Sequence, residues 1–299
     1  MRKIIVNSLT FYSHYKDTPS LRHAFNDLSQ EIFGLDFEPF YTSGWWDDSF
    51  VCYTFFDRGK AVSNVSVAKM RFLIRGRELD ALQLGTVMTH PDYRERGLAR
   101  ELMANITKEY EGQFSFWFLF ANDSVTAFYP RFGFVESPQH VFSCPFDFSS
   151  SSKRTLRSLE LNKEEDCRLL DKIVFSRKPL SESLSLISGY AITLFHALYA
   201  FGDCLLCDDI EKGLLICRQM GEDLHLYDLI CPRKFSVGEY LSLLSFPGVK
   251  KIVFHFTPPT EEFPGGRWHR TRDRDDLFFI KSSQNPLPAK FCFPVTGRT

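Results

Sequence analysis

Along residues 19–33 apolar side chains return every three or four positions, at Leu21, Phe25, Leu28 and Ile32, and Gly34 ends the run. That spacing predicts an amphipathic helix. Then the period changes. Residues 50–56, 61–74 and 79–88 read as three strands divided by the turn sequences Asp57-Arg-Gly-Lys60 and Arg75-Gly-Arg-Glu78. A helix is predicted from about Gly97 to Tyr110. Residues 114–121 form a nearly continuous apolar run, as in a strand covered on both faces. Residues 124–132 read as a short helix, another strand begins at Phe134, and residues 3–8 read as a first strand. The order strand, helix, antiparallel meander, helix, strand, helix, strand predicts an α/β (α+β) fold with a mixed, mostly antiparallel sheet flanked by helices.

The second half repeats part of this order. Ser149-Ser-Ser-Ser-Lys153 reads as a linker, dividing the chain into domains 1–148 and 149–299. A helical region at 163–201 is followed by a second meander, at 203–208, 212–219 and 223–231. A helix at 237–244 and a strand at 250–256 follow. The repetition lies in the order of elements and not in the residues, as expected of a degenerate second copy.

Composition narrows the class. The 299 residues suggest two domains as a prior. Lys+Arg number 36 and Asp+Glu 37, so no basic excess points to nucleic acid and no basic tail to a membrane. No stretch reaches the roughly 18 apolar residues of a membrane span, and the N-terminus lacks a signal-peptide pattern. A cytoplasmic protein is expected. The 31 phenylalanines read as core. Cys204-Leu-Leu-Cys207 has zinc-like spacing, but no second such pair exists, so buried free thiols are the default for the eight cysteines.

The chemistry concentrates in residues 82–103. A strand ends, a short loop carries Arg94-Glu-Arg-Gly97-Leu-Ala99, and a helix starts at once. The first N–H groups of a helix lack intrahelical partners, and its dipole favours negative charge there. Gly97 lets the backbone approach a phosphate, Ala99 keeps the next turn slim, and Arg94 and Arg96 add charge-assisted bonds.

Arg94-x-x-Gly97-x-Ala99 resembles the pyrophosphate loop of the GNAT acetyltransferase superfamily. Asn122-Asp-Ser-Val125-Thr-Ala-Phe-Tyr129-Pro-Arg-Phe-Gly133-Phe134 resembles that family's segment after the fifth strand, with Val125 where Ala is common and Pro130 after the Tyr. The resemblance covers about residues 1–140. The whole chain looks like bacterial tandem proteins whose second, GNAT-like α/β domain lacks the phosphate loop and completes the acceptor cleft or a dimer surface.

The resemblance implies an N-acetyltransferase acting on a primary amine of a small molecule or peptide. Acetyl-coenzyme A would lie between the strands ending near Met88 and Ala121. Backbone groups of Gly85, Thr86, Val87 and Met88 would hold the pantetheine, and Arg96, Gly97, Leu98 and Ala99 the pyrophosphate. Asn122 would flank the pantetheine arm, Val87 or Met88 would polarise the thioester carbonyl, and Tyr129 would protonate the departing thiolate. The general base is open among His90, Gln83, Thr86, Thr89, Glu38, Asp47 and Asp48, of which His90 is the one histidine.

Some readings stay open. A non-catalytic acyl-coenzyme A sensor would need the same loop. The aromatic stretch 37–46 reads as loop packing more than an amine pocket. Gly265-Gly-Arg-Trp-His-Arg-Thr-Arg-Asp-Arg274 reads as a solvated loop.

Overall fold

The computed structural model describes residues 2–6, 9–148, 154–271 and 273–298, so the expected linker 149–153 lies outside the described residues. The first half contains strands β1 (Arg2–Val6), β2 (Leu9–Ser13), β3 (Phe50–Asp57), β4 (Lys60–Ile74), β5 (Arg77–Thr89), β6 (Phe116–Ala121), β7 (Val135–Glu136) and β8 (Gln139–Pro145). Its helices are α1 (Pro19–Phe33), α2 (Glu38–Thr42) and α3 (Leu98–Tyr110). The second half contains β9 (Arg157–Ser158), β10 (Leu184–Ser188), β11 (Leu205–Asp208), β12 (Gly213–Met220), β13 (Asp223–Ile230), β14 (Lys251–Phe254), β15 (Arg267–Thr271) and β16 (Leu277–Lys281). Its helices are α4 (Glu164–Phe175), α5 (Tyr190–Tyr199) and α6 (Val237–Ser242).

Two sheets result. One runs β1-β2-β3-β4-β5-β6-β16-β7, with β10 beside the far end of β4; the other runs β15-β8-β14-β13-β12-β11-β9. The meander β3-β4-β5, helix α3 and strand β6, parallel to β5, recur as β11-β12-β13, α6 and β14, parallel to β13. The repetition of order read in the sequence is therefore present in space. The sheets also exchange strands. β8 leaves the first half to pair with β14, and β16 leaves the second to pair with β6. No local pattern announces such an exchange, because a strand's sequence does not name its neighbour.

Three apolar layers hold the sheets. Leu102, Met103 and Ile106 of α3 pack on one face of the first sheet, and Leu241 and Val237 of α6 on one face of the second. A third layer joins the sheets, with Phe25 of α1, Leu170 of α4 and Leu194 of α5 among its members. The expected helical region 163–201 breaks into α4, β10 and α5. Leu184 and Leu186 of β10, with Ser185 between them, are buried where the strand pairs with β4, a short strand hidden between two helices. The arginine-rich stretch contains an edge strand, β15, whose Trp268 packs against Phe142 of β8. The expected helix at 124–132 is two 3-10 turns, Asp123–Val125 and Tyr129–Phe132, since Pro130 has no N–H to continue a helix.

The last described residues are clamped into the fold. Val295 N–H donates to the His255 carbonyl at 3.2 Å, the Thr296 hydroxyl donates to Asp228, and the His196 imidazole donates to the Arg298 carbonyl. Asp228 is paired with Arg177 at 2.7 Å, both nearly buried. Burial pushes both His196 and His255 down to about 4 from the ordinary 6.5. The unfolded chain then binds more protons than the folded chain between those two values, so stability is lost as pH falls through that window. Thermal melts from pH 6.5 to 5 should show a falling midpoint, with each histidine contributing at most ~1.4 kcal/mol per pH unit. His196→Gln should flatten the slope, and a midpoint independent of pH over that range would contradict the clamp.

Candidate active site

β5 and β6 pair only from Ala81 and Phe116 to Leu84 and Leu119. Beyond that point a cavity of about 560 Å³ opens, with Gly85, Thr86 and Val87 on one wall and Phe120, Ala121 and Asn122 on the other. The divergence is built into β5. Thr86 and Val87 together stand opposite one β4 residue, Val65, a bulge that bends the strand. Thr86 takes φ +49°, a left-handed conformation that costs a branched residue about 1–3 kcal/mol.

A buried chain of hydrogen bonds holds the bulge. Asn64 on β4 donates to the Thr86 carbonyl and to the Ser66 hydroxyl, both at 2.9 Å. Its own oxygen accepts from the Thr54 hydroxyl at 2.7 Å, and Thr54 in turn accepts from Tyr15. Asn64 and Thr54 are fully buried. Both donors of the Asn64 amide are used, so the network is satisfied. The signal for it was Asn64, a weak strand former within the valine-rich run Val62–Val67.

The start of α3 stands beside the cavity, where Ala99 is part of the wall. Gly97 caps the helix at φ +75°, and no side chain among the described residues caps that end. Its first N–H groups are therefore open to an anion. Three exposed guanidiniums surround them. Arg94 donates to the Thr89 carbonyl at 3.3 Å; Arg96 donates to the Asp92 carbonyl at 2.6 Å and lies over Tyr93. Arg100, which the sequence reading passed over, reaches back across Gly97: a Cβ there would lie 3.2 Å from its Nη2. Its signal was its place in the first helical turn.

The matching position in the second half is filled from within. Glu262 accepts from the Gly238 N–H at 2.7 Å and the Ser236 hydroxyl at 2.8 Å, while Ser236 accepts from the Glu239 N–H. A carboxylate of the chain thus sits at the start of α6, where α3 is open.

The other expected residues divide. Gly85, Thr86, Val87, Ala99, Asn122 and Tyr129 meet at the cavity. Asn122 also caps the following turn, accepting from Ser124 N–H at 3.1 Å. Tyr129 is 5% exposed, and burial pushes its phenol up to about 12. No described residue hydrogen-bonds its hydroxyl, which therefore stays protonated and free to donate. Met88 and Leu98 are buried side chains whose backbone flanks the site. His90 stands apart from the cavity walls: its Nδ1 accepts from the Asp92 N–H at 3.2 Å, and its Nε2 lies 3.3 Å from Glu31. Glu38 pairs with Arg22, Asp48 with Lys16, and Asp47 caps Ser49. Gln83 is buried in the sheet.

The far side of the cavity comes from distant segments. Phe37, Phe40 and Phe50 are buried, as packing of the aromatic stretch requires, and they also form wall. The second half adds Ile192 and Phe195 of α5, and Asp275 and Asp276 ahead of β16. Among the described residues no group of three metal-ligating side chains exists. No helix there is long and apolar enough to cross a membrane.

Replacing Asn64 by Leu should remove the side-chain donor to the Thr86 carbonyl and the acceptor of the Thr54 hydroxyl proton in the interior, at about 1–3 kcal/mol for each bond lost. Urea unfolding should show that loss, and an unchanged midpoint would show that Asn64 does not hold the bulge.

The fold has relatives among solved structures. A conserved protein from Enterococcus faecalis V583, described as a probable N-acyltransferase, is similar with a TM-score of 0.58 and 13% identity, over 92% of this chain and 72% of that one. Eis1 from Mycobacterium abscessus is similar at 0.54 and 13%, over 92% and 73%. A GCN5-related N-acetyltransferase from Kribbella flavida is similar at 0.52 and 12%, over 90% and 71%. These likenesses show a shared fold across most of the chain. No curated protein matches the sequence. The family model described as "Acetyltransferase (GNAT) domain" matches residues 18–136, the segment that holds the bulge, the open helix start and Tyr129. Residues 18–136 therefore match a GNAT acetyltransferase domain, within a chain whose fold these structures share.

Proposed function

We propose that this protein transfers an acetyl group from acetyl-coenzyme A to a primary amine by direct attack. The observation that carries the reading is the uncapped, arginine-ringed start of α3 beside a cavity that opens between two diverging strands. The N–H groups of Arg96, Gly97, Leu98 and Ala99 would hold the pyrophosphate, with Arg94 and Arg100 adding charge. The edge of β5 from Gly85 to Met88 would hold the pantetheine arm by strand addition.

Val87 lies in the bulge, where the extra residue is unpaired in the ladder. Its N–H is the donor we assign to the thioester carbonyl, in the role of an oxyanion hole. Tyr129 donates a hydrogen bond to the departing sulfur. A phenol pushed up to about 12 holds its proton more tightly than a free thiol does, since a thiol titrates near 8.5. Tyr129 thus lowers the charge on sulfur and does not act as a base.

Calorimetry should give micromolar binding of acetyl-coenzyme A to the wild type. Gly97→Glu, which places bulk and negative charge at the helix start, should abolish it. Gly97→Asn, which tolerates the left-handed conformation, should retain the fold. Tyr129→Phe should bind normally but lose about 100-fold in kcat. No binding by the wild type would overturn the transferase reading. Binding without thiol release for any amine would favour a sensor of acyl-coenzyme A instead.

A further inference from the structure

The walls of the cavity differ in kind. At the strand gap they are backbone, Asn122 and Tyr129. Away from it they are the rings of Phe37, Phe40, Phe50 and Phe195 with Ile192. Among the described residues, the only ionisable side chains on the wall besides Tyr129 are Asp275 and Asp276, both supplied by the second half. Asp276 is held in place through Arg298, whose guanidinium contacts one of its carboxylate oxygens and lies over the Phe120 ring at 5.0 Å. The Arg298 backbone is fixed in turn by His196. Asp276 pairs with that guanidinium, while Asp275 is exposed and has no cation paired with it among the described residues, so the wall carries more carboxylate than the guanidinium balances. Carboxylates set beside aromatic faces suit a cation.

We infer that the acceptor is a cationic amine with an apolar, preferably aromatic, body, and that Asp276 is the residue that binds its ammonium group and takes its proton. This rests on the transferase reading and names the substrate class and base of that same site. A fatty acyl chain would suit the rings but would bring no charge to Asp276. A hydrophilic polyamine would suit the carboxylates but would leave the rings facing polar groups. A cationic amine with an apolar body meets both, its ammonium placed against carboxylate and ring faces together.

Asp276 takes one proton from the ammonium, and the freed lone pair forms the C–N bond to the thioester carbon. The C–S bond breaks, and the proton that the nitrogen sheds on becoming an amide goes to the sulfur. One amine and one thioester give one amide and one thiol, and the proton on Asp276 passes to solvent. Burial raises the Asp276 carboxyl above its ordinary range against the opposing pull of Arg298, which brings it nearer the value a general base needs at neutral pH.

Thiol release should be measured with acetyl-coenzyme A and three acceptors, phenethylamine, hexylamine and spermidine, and with octanoyl-coenzyme A as an alternative donor. Phenethylamine is expected to be the best acceptor by kcat/KM and spermidine the worst. Asp276→Asn should lower kcat/KM for phenethylamine about 100-fold, with acetyl-coenzyme A affinity within twofold, and Asp276→Glu should restore part of the loss. Phe195→Ala, at a half-buried ring, should raise KM for phenethylamine more than for hexylamine. Spermidine as the best acceptor, octanoyl-coenzyme A preferred over acetyl-coenzyme A, or full activity in Asp276→Asn would each overturn the inference while the transferase reading stood. Failure to bind acetyl-coenzyme A at all would remove the reading beneath it.

Discussion

The site depends on one constraint: β5 cannot stay paired with β6 past Leu84. Two residues of β5 face a single residue of β4, Thr86 takes a conformation that branched residues avoid, and Asn64 holds its carbonyl from inside the sheet. The strain at Thr86 persists because the buried network offsets it. Everything else in the site follows from the gap. It exposes backbone along Gly85–Val87, admits Tyr129 from the turn after β6, and lets the cavity reach the aromatic wall. Without the bulge the two strands would close and the open start of α3 would face an unbroken sheet.

The second half shows what the same order of elements does when that end is filled. β13 carries its own irregularity, with Tyr227 as the extra residue between the partners of Ile216 and Cys217. There the Tyr227 ring lies against His255 and Phe201. The start of α6 is closed by Ser236 and by the carboxylate of Glu262. Both helix starts carry the same electrostatic demand, met from within the chain at α6 and left open at α3. The closed half contributes to the site in another way, through Ile192, Phe195, Asp275 and Asp276 on the wall of its neighbour's cavity.

Local features were legible in the sequence, and long-range ones were not. The spacing of Leu21, Phe25, Leu28 and Ile32 marked α1, with Gly34 at its end. Arg94-x-x-Gly97-x-Ala99 marked the uncapped start of α3 because its residues lie in one short segment. Tyr129 and Asn122, singled out on the same basis, line the cavity. Asp276 and Phe195 were not, because they reach the cavity only through folding of the second half against the first. His90 looked suitable by its type and by its nearness to the loop. Its ring instead supports the Pro91–Tyr93 turn, a task that spacing alone does not reveal. The strand exchange of β8 and β16 was hidden for the same reason as Asp276.

The central claim is that the start of α3 is an open anion site and the start of α6 is not. Amide hydrogen exchange with and without coenzyme A tests it most directly. Exchange slowed at residues 96–100 and 85–88, with residues 236–239 unchanged, is the expected result. Equal slowing at both helix starts, or no slowing at residues 96–100, would contradict it.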